Sequence, residues 1–156
     1  GSVIEKWSAY NGPIRVYGKD VTRFHLSMDY WLEFCLKAIH NTHGGEVFVP
    51  KCSAWNLANL ASAFCEVFPD RPTEICPSRY GDKPNETLIS EHEFSSSIDL
   101  DWGYVIEPSD EVRQVWNYIP HEGKQVTGMV SSNNVRRMGI DELRTLIRNT
   151  SHDKTG

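Results

Sequence analysis

Residues 44–49 read Gly-Gly-Glu-Val-Phe-Val and residues 73–76 read Thr-Glu-Ile-Cys. Each is a short apolar run of strand length, the first bounded by a glycine pair. Between them Leu57, Leu60, Ala61, Phe64 and Phe68 recur at three- and four-residue intervals, with Ser53 ahead as the expected N-cap and Pro69 behind as the stop. Strand, helix and strand therefore follow one another. Such alternation fits an α/β architecture with some parallel pairing.

Working outward from that unit, Ser2 is placed to cap a short helix ending near Tyr10, and Asn11-Gly12-Pro13 reads as a turn. Ile14-Arg15-Val16-Tyr17 alternates as a strand, closed by Gly18-Lys19-Asp20. From Ser27, the residues Tyr30, Trp31, Phe34, Cys35, Ala38 and Ile39 share helical spacing to about His40, and most of these aromatics are expected in the core. Toward the C-terminus, Glu91-His92-Glu93 reads as a helical turn and Trp102-Gly103-Tyr104-Val105-Ile106 as a strand. Residues 107–128 show no clear period and read as irregular, with Val112, Val115, Trp116 and Tyr118 covering the core. Residues 140–147 are amphipathic and helical, and residues 149–156 read as a frayed, flexible tail. The expectation is one domain over residues 1–148, with short strands and three to four main helices.

The segment after the second strand carries the chemistry. Residues 78–88 read Ser-Arg-Tyr-Gly-Asp-Lys-Pro-Asn-Glu-Thr-Leu. Arg79 offers a planar fork of donors that matches phosphate oxygens, and Asp82 is an acceptor suited to paired hydroxyls such as those of a ribose. Gly81 and Pro84 would fix the turn between them. The same pattern also suits an exposed loop with an incidental charge pair. A second arginine, Arg23, stands in Asp20-Val21-Thr22-Arg23-Phe24, just ahead of the long helix.

Together with residues 44–49 and Glu86-Thr87-Leu88-Ile89-Ser90, these stretches resemble the C-terminal part of an extended short-chain dehydrogenase/reductase acting on nucleotide sugars. The resemblance is to polysaccharide-biosynthesis proteins of the UDP-N-acetylglucosamine 4,6-dehydratase/epimerase type, and it runs in order from residue 1 to about residue 147. It implies the substrate-binding portion of a Rossmann-type fold whose Rossmann half is absent. By position, Arg23 and Arg79 would contact the diphosphate, Asp82 the ribose, and Val16 and Tyr17 the uracil base, the strand backbone reading its edge and the side chains packing on it. Glu86 falls in the same set without a defined contact. The match departs from the family pattern at Asp82, where close relatives usually carry glutamate, and at Pro84, which replaces a leucine and bears on the aim of Glu86.

The resemblance also implies a reaction: hydride transfer from the sugar C4 to NAD(P), then loss of water across C5 and C6, with C5 epimerisation in some members. That chemistry needs a Gly-rich strand-to-helix turn and a Tyr-x-x-x-Lys pair. Neither occurs in this sequence, and Tyr80 and Lys83 are three apart. Hence no catalytic residue is assigned, and no cofactor is expected on this chain, NAD(P) belonging to the full-length family. The expected partners are a UDP-sugar and a separate or missing Rossmann domain, with a homo-oligomer compatible. The alternative reading is a non-catalytic remnant that binds a nucleotide sugar or a partner chain, or one half of a split enzyme.

Composition narrows the rest. The chain has 156 residues, 39% hydrophobic and 24% charged, with a formal charge of -5. No dense Lys/Arg cluster suits a nucleic acid, and no apolar run approaches the roughly 18 residues that span a bilayer. With no signal-peptide pattern at the N-terminus, the cytoplasm is the expected compartment. Cys35, Cys52, Cys65 and Cys76 lie more than ten positions apart and are read as buried free thiols. His25, His40 and His43 lack the spacing of a metal site.

Overall fold

The computed structural model describes residues 2–152, and the chain folds as two compact units with a core each. The first unit comprises Gly1–Phe24, Ala54–Glu86 and Arg136–Gly156; the second comprises His25–Ser53 and Thr87–Val135.

In the first unit, α1 (Val3–Ala9) starts with a capping box, Ser2 Oγ accepting from Glu5 N at 3.2 Å while Glu5 returns a bond to Ser2 N. The expected cap is therefore in place. Strand β1 (Ile14–Tyr17) pairs in parallel with β5 (Thr73–Cys76), Val16 opposite Ile75 and Tyr17 opposite Cys76. Helix α3 (Leu57–Val67) packs on this pair and α5 (Ile140–His152) packs on α3 and α1, and the cluster they share buries Ile14, Val16, Leu60, Phe64, Leu143 and Ile147 completely. Trp7 of α1 closes the cluster edge-on to Phe64, with ring centroids 5.6 Å apart.

Three expectations change, the last of them across both units. Strand β2 (Thr22–His25) holds Arg23 and pairs with β4 (Ser53–Asn56), so Ser53 begins a strand and Asn56 caps α3, its Oδ1 accepting from Ala58 N at 2.9 Å and Asn59 N at 3.1 Å. Helix α5 runs on to His152, so residues 149–152 are helical, while the remainder of the expected tail lies outside the described residues. The cysteines are unpaired, as expected, but all four are partly exposed, so full burial does not hold.

In the second unit, α2 (Met28–Asn41) is capped by Ser27, whose Oγ accepts from Tyr30 N at 3.3 Å. The helix ends at Thr42, whose backbone is already extended, and Gly44 and Gly45 beyond it, with φ of +107° and +89°, turn the chain toward the next strand. An antiparallel sheet runs in the order β3, β8, β7, β9, formed by Val47–Pro50, Gly103–Ile106, Ser97–Leu100 and Lys124–Gln125. A smaller pair joins β6 (Thr87–Ile89) to β10 (Val130–Ser131). Val49, Ile89, Val126 and Val130 form the core.

Two further corrections belong to this unit. Most aromatics of α2 were expected inside, yet only Phe34 of this helix is buried, and Trp31 is exposed. The segment read as irregular contains α4 (Asp110–Trp116), in which Val115 and Trp116 face solvent, whereas Tyr118 beyond it is buried as expected. The stretch at residues 91–93 is a turn leading into a 3-10 segment at Phe94–Ser96.

Candidate functional site

The C-terminal ends of β1 and β5 lie side by side in the first unit, and both chains turn away there. Gly18 N–H donates to the Cys76 carbonyl at 3.1 Å, continuing the ladder, and Val21 N–H closes a turn onto the Gly18 carbonyl at 3.2 Å. Beside this junction is an open cleft of about 550 Å³, walled by residues 18–21 on one side and by residues 75–78 with Pro84 on the other. Gly18 is required by the geometry. Its φ is +79°, and a Cβ there would sit 2.5 Å from Ser78 Oγ.

The residues singled out from sequence take distinct places around this junction. Val16 is fully buried in the core, so the side-chain packing on a base expected of it does not hold, and only its backbone is left for that role. Tyr17, partly exposed, lies beneath Arg79, whose guanidinium carbon is 3.9 Å from the ring centroid. That is a close cation–π contact, which keeps the charge exposed while restricting the side chain. Gly81 has a φ of +86° and Asp82 N–H donates to the Arg79 carbonyl at 3.1 Å, so the expected turn forms and its tip, including Tyr80, is fully open to solvent.

Arg23 lies on β2 and is held from several sides. Its Nη1 donates to the Thr22 carbonyl at 2.7 Å and to the Pro84 carbonyl at 3.4 Å, and its Nε is 3.5 Å from Glu86 Oε1. The same strand is riveted to the loop by Thr22 N–H donating to the Pro84 carbonyl at 2.8 Å and by Thr22 Oγ1 donating to Asn85 Oδ1 at 2.8 Å. Pro84 does not disrupt this; its carbonyl is a shared acceptor for Thr22 and Arg23.

The cleft wall contains none of the six predicted side chains but their immediate neighbours: Gly18 follows Tyr17, Ser78 precedes Arg79, and Pro84 stands two before Glu86. Lys19, Ser78 and Cys76 were missed by sequence reasoning. The signal that could have found them is the pairing of β1 with β5, since the ends of adjacent parallel strands are where such folds open a crevice. Among the described residues no group of three or more His, Cys, Asp or Glu is placed to hold a metal ion, and no helix is long and apolar enough to cross a membrane.

A family model described as "Polysaccharide biosynthesis protein" matches residues 1–108. The chain belongs to this family. Relatives include a UDP-N-acetylglucosamine 4,6-dehydratase (inverting) of Campylobacter jejuni, 33% identical over 89 residues, covering 57% of this chain and 26% of the relative. A UDP-glucose 4-epimerase of Rickettsia felis is 28% identical over 138 residues, covering 85% of this chain and 40% of the relative. The crystal structure of Pen from Bacillus thuringiensis superposes with a TM-score of 0.75 over 96% of this chain and 45% of its own, at 23% identity, and so shares the α/β fold. The chain thus spans less than half the length of each of these.

Proposed function

We propose that this chain is the substrate-binding portion of a nucleotide-sugar 4,6-dehydratase/epimerase acting on a UDP-N-acetylhexosamine in surface-polysaccharide synthesis. The observation that carries the reading is the crevice at the ends of β1 and β5, flanked by Arg79 stacked on Tyr17 and by Arg23 fixed on β2, in a chain whose family is named for polysaccharide biosynthesis and whose relatives are named for UDP-sugars. In this reading the two guanidinium groups meet the diphosphate, Asp82 the ribose hydroxyls, and Tyr17 with the Val16 backbone the base. Each charge-assisted contact is worth roughly 1.5 to 3 kcal/mol, enough to orient a UDP group and modest once association costs are met.

The dinucleotide the family uses does not fit these residues. Its cradle is a glycine turn leading from a strand into a helix, whereas here β4 passes into α3 through Asn56, and Gly44 and Gly45 precede a strand. No step through NAD(P) is derived for this chain, which supplies binding and orientation, with the redox and proton-transfer groups placed on a separate or missing Rossmann domain. Within the second unit, β3 ends its sheet with Val47 exposed, which offers that domain an open strand edge. The cytoplasm, where nucleotide-sugar precursors are made, is the compartment this role calls for.

Calorimetric titration with UDP tests the reading. The expected outcome is a saturable heat for the chain and about tenfold weaker binding for Arg79→Ala, the loss of one charge-assisted contact. Equal heats for both, or none for either, would remove the nucleotide site.

A further inference from the structure

Glu86 uses its two carboxylate oxygens differently. Oε1 faces Arg23 Nε at 3.5 Å, and Oε2 accepts the Phe24 backbone N–H at 3.3 Å. One carboxylate therefore grips the arginine side chain and the peptide group directly after it. With Nη1 engaged by the Thr22 and Pro84 carbonyls and Nε facing Glu86, Nη2 is the end of the fork that would meet an incoming anion. A guanidinium already held gives up little rotamer freedom when a ligand arrives, which is how such a jig strengthens binding without touching the ligand. Charge points the same way. A carboxylate set against a diphosphate would repel it, whereas behind the arginine it fixes the cation and leaves the contact to Nη2.

We propose that Glu86 is a positioning residue that acts on the ligand through Arg23 and does not contact the ligand itself. This deepens the UDP reading of the crevice and rests on it. Its structural half, the hold on Arg23, stands apart from any ligand. Pro84 and Asn85 contribute to that hold by pinning the loop to β2 through Thr22.

The test is a double-mutant cycle read by UDP titration of the full chain, with Glu86→Gln and Arg23→Ala alone and together. Glu86→Gln keeps an acceptor for Phe24 N–H and removes the charge that holds the arginine. It is expected to weaken UDP about five- to tenfold in the otherwise unaltered chain and less than about twofold when Arg23 is already alanine, the signature of action through a shared partner. A loss of equal size in both backgrounds would show Glu86 in contact with the ligand, and tighter binding would show it competing for Arg23; either overturns the proposal. A second readout needs no ligand. The Arg23 Nε–H resonance is expected to exchange slowly with water in the unaltered chain and fast in Glu86→Gln, with the backbone amide signals of Thr22 and Asn85 unmoved. If UDP gives no heat at all, the crevice reading fails, and this resonance still decides whether Glu86 holds Arg23; unchanged exchange would sink the positioning role.

Discussion

Gly18 concentrates what a single position does for the site. Its left-handed backbone turns β1 into the cleft wall, and the space its missing side chain leaves is taken by Ser78 Oγ and Val21 Cγ2, which a Cβ would approach at 2.5 and 2.9 Å. Gly18→Ala is expected to destabilise the first unit by about 1–2 kcal/mol from backbone strain alone, and to push Ser78 and the Arg79 loop off the β1 end. Urea unfolding should show a lower midpoint with unchanged slope, and UDP affinity should fall with it. An unshifted midpoint would mean that residues 18–21 relax without strain. At this scale the sequence was informative about side-chain type and less so about contact. Alternation along Ile14-Arg15-Val16-Tyr17 is enough to send Val16 inward, yet the resemblance assigned it a ligand, and burial decides against its side chain. The stacking of Arg79 on Tyr17 joins residues 62 apart in the chain and leaves no local signal in either segment.

Elements reveal themselves in sequence when their ends are marked by residues acting locally. Ser2 and Ser27 cap helices because a side-chain oxygen two or three residues ahead of free N–H groups needs nothing distant, and both were legible. Asn56 was not, because Ser53 is an equally good cap until β4 pairs with β2 and draws residues 53–56 into a strand. Helix α4 was missed for a related reason: at seven residues it offers barely two turns of period, and two of its apolar side chains face water. The start of α5 shows a cap made by a carboxylate. Glu142 accepts Gly139 N–H at 2.9 Å and two bonds from Arg136, at 3.0 and 2.9 Å, and these hold its carboxyl at about 2 against an ordinary 4.5. A folded-state value below the unfolded one means stability present above about pH 4.5 and lost as the pH falls toward 2. Because the pair is exposed, the contribution is small and screened by salt. Glu142→Gln is therefore expected to flatten the acid limb of the stability curve between those values at low ionic strength, and to leave the curve above pH 6 parallel to that of the unaltered protein. Thermal melts in 10 mM and 500 mM salt across that window check it, and an acid limb that keeps its slope in the variant would assign the dependence to other carboxylates.

For the whole molecule, the α/β class with some parallel pairing was readable because strand-like and helix-like stretches of the right lengths alternate; which strands pair was not, since residues 47–50 pair antiparallel with β8 and residues 73–76 pair in parallel with β1, and the division into two compact units leaves no local signal either. The chain passes between the units four times, and nothing local marks a crossing at residues 24–25 or 135–136. The same blindness explains α2. Its period announces a helix but not which face is covered, and Met28, Leu32, Leu36 and Ile39, spaced at four, four and three residues, form a stripe left outside, with Leu36 and Ile39 69% and 72% exposed. Each leucine-sized side chain left in water forgoes roughly 1.5–3 kcal/mol of burial, so such a stripe favours association with any apolar surface that reaches it. The isolated chain is accordingly expected to bind an apolar dye and to self-associate as its concentration rises. Leu32→Lys combined with Leu36→Lys should lower dye fluorescence severalfold and hold the sedimentation coefficient constant with concentration, while shifting unfolding free energy by no more than about 0.5 kcal/mol, as befits exposed positions. Dye binding that survives the double substitution would place the sticky surface elsewhere, with Val115, Trp116 and Ile119 next in line. A steep loss of stability would mean instead that the stripe is packed in solution and that α2 buries the face its sequence first suggested.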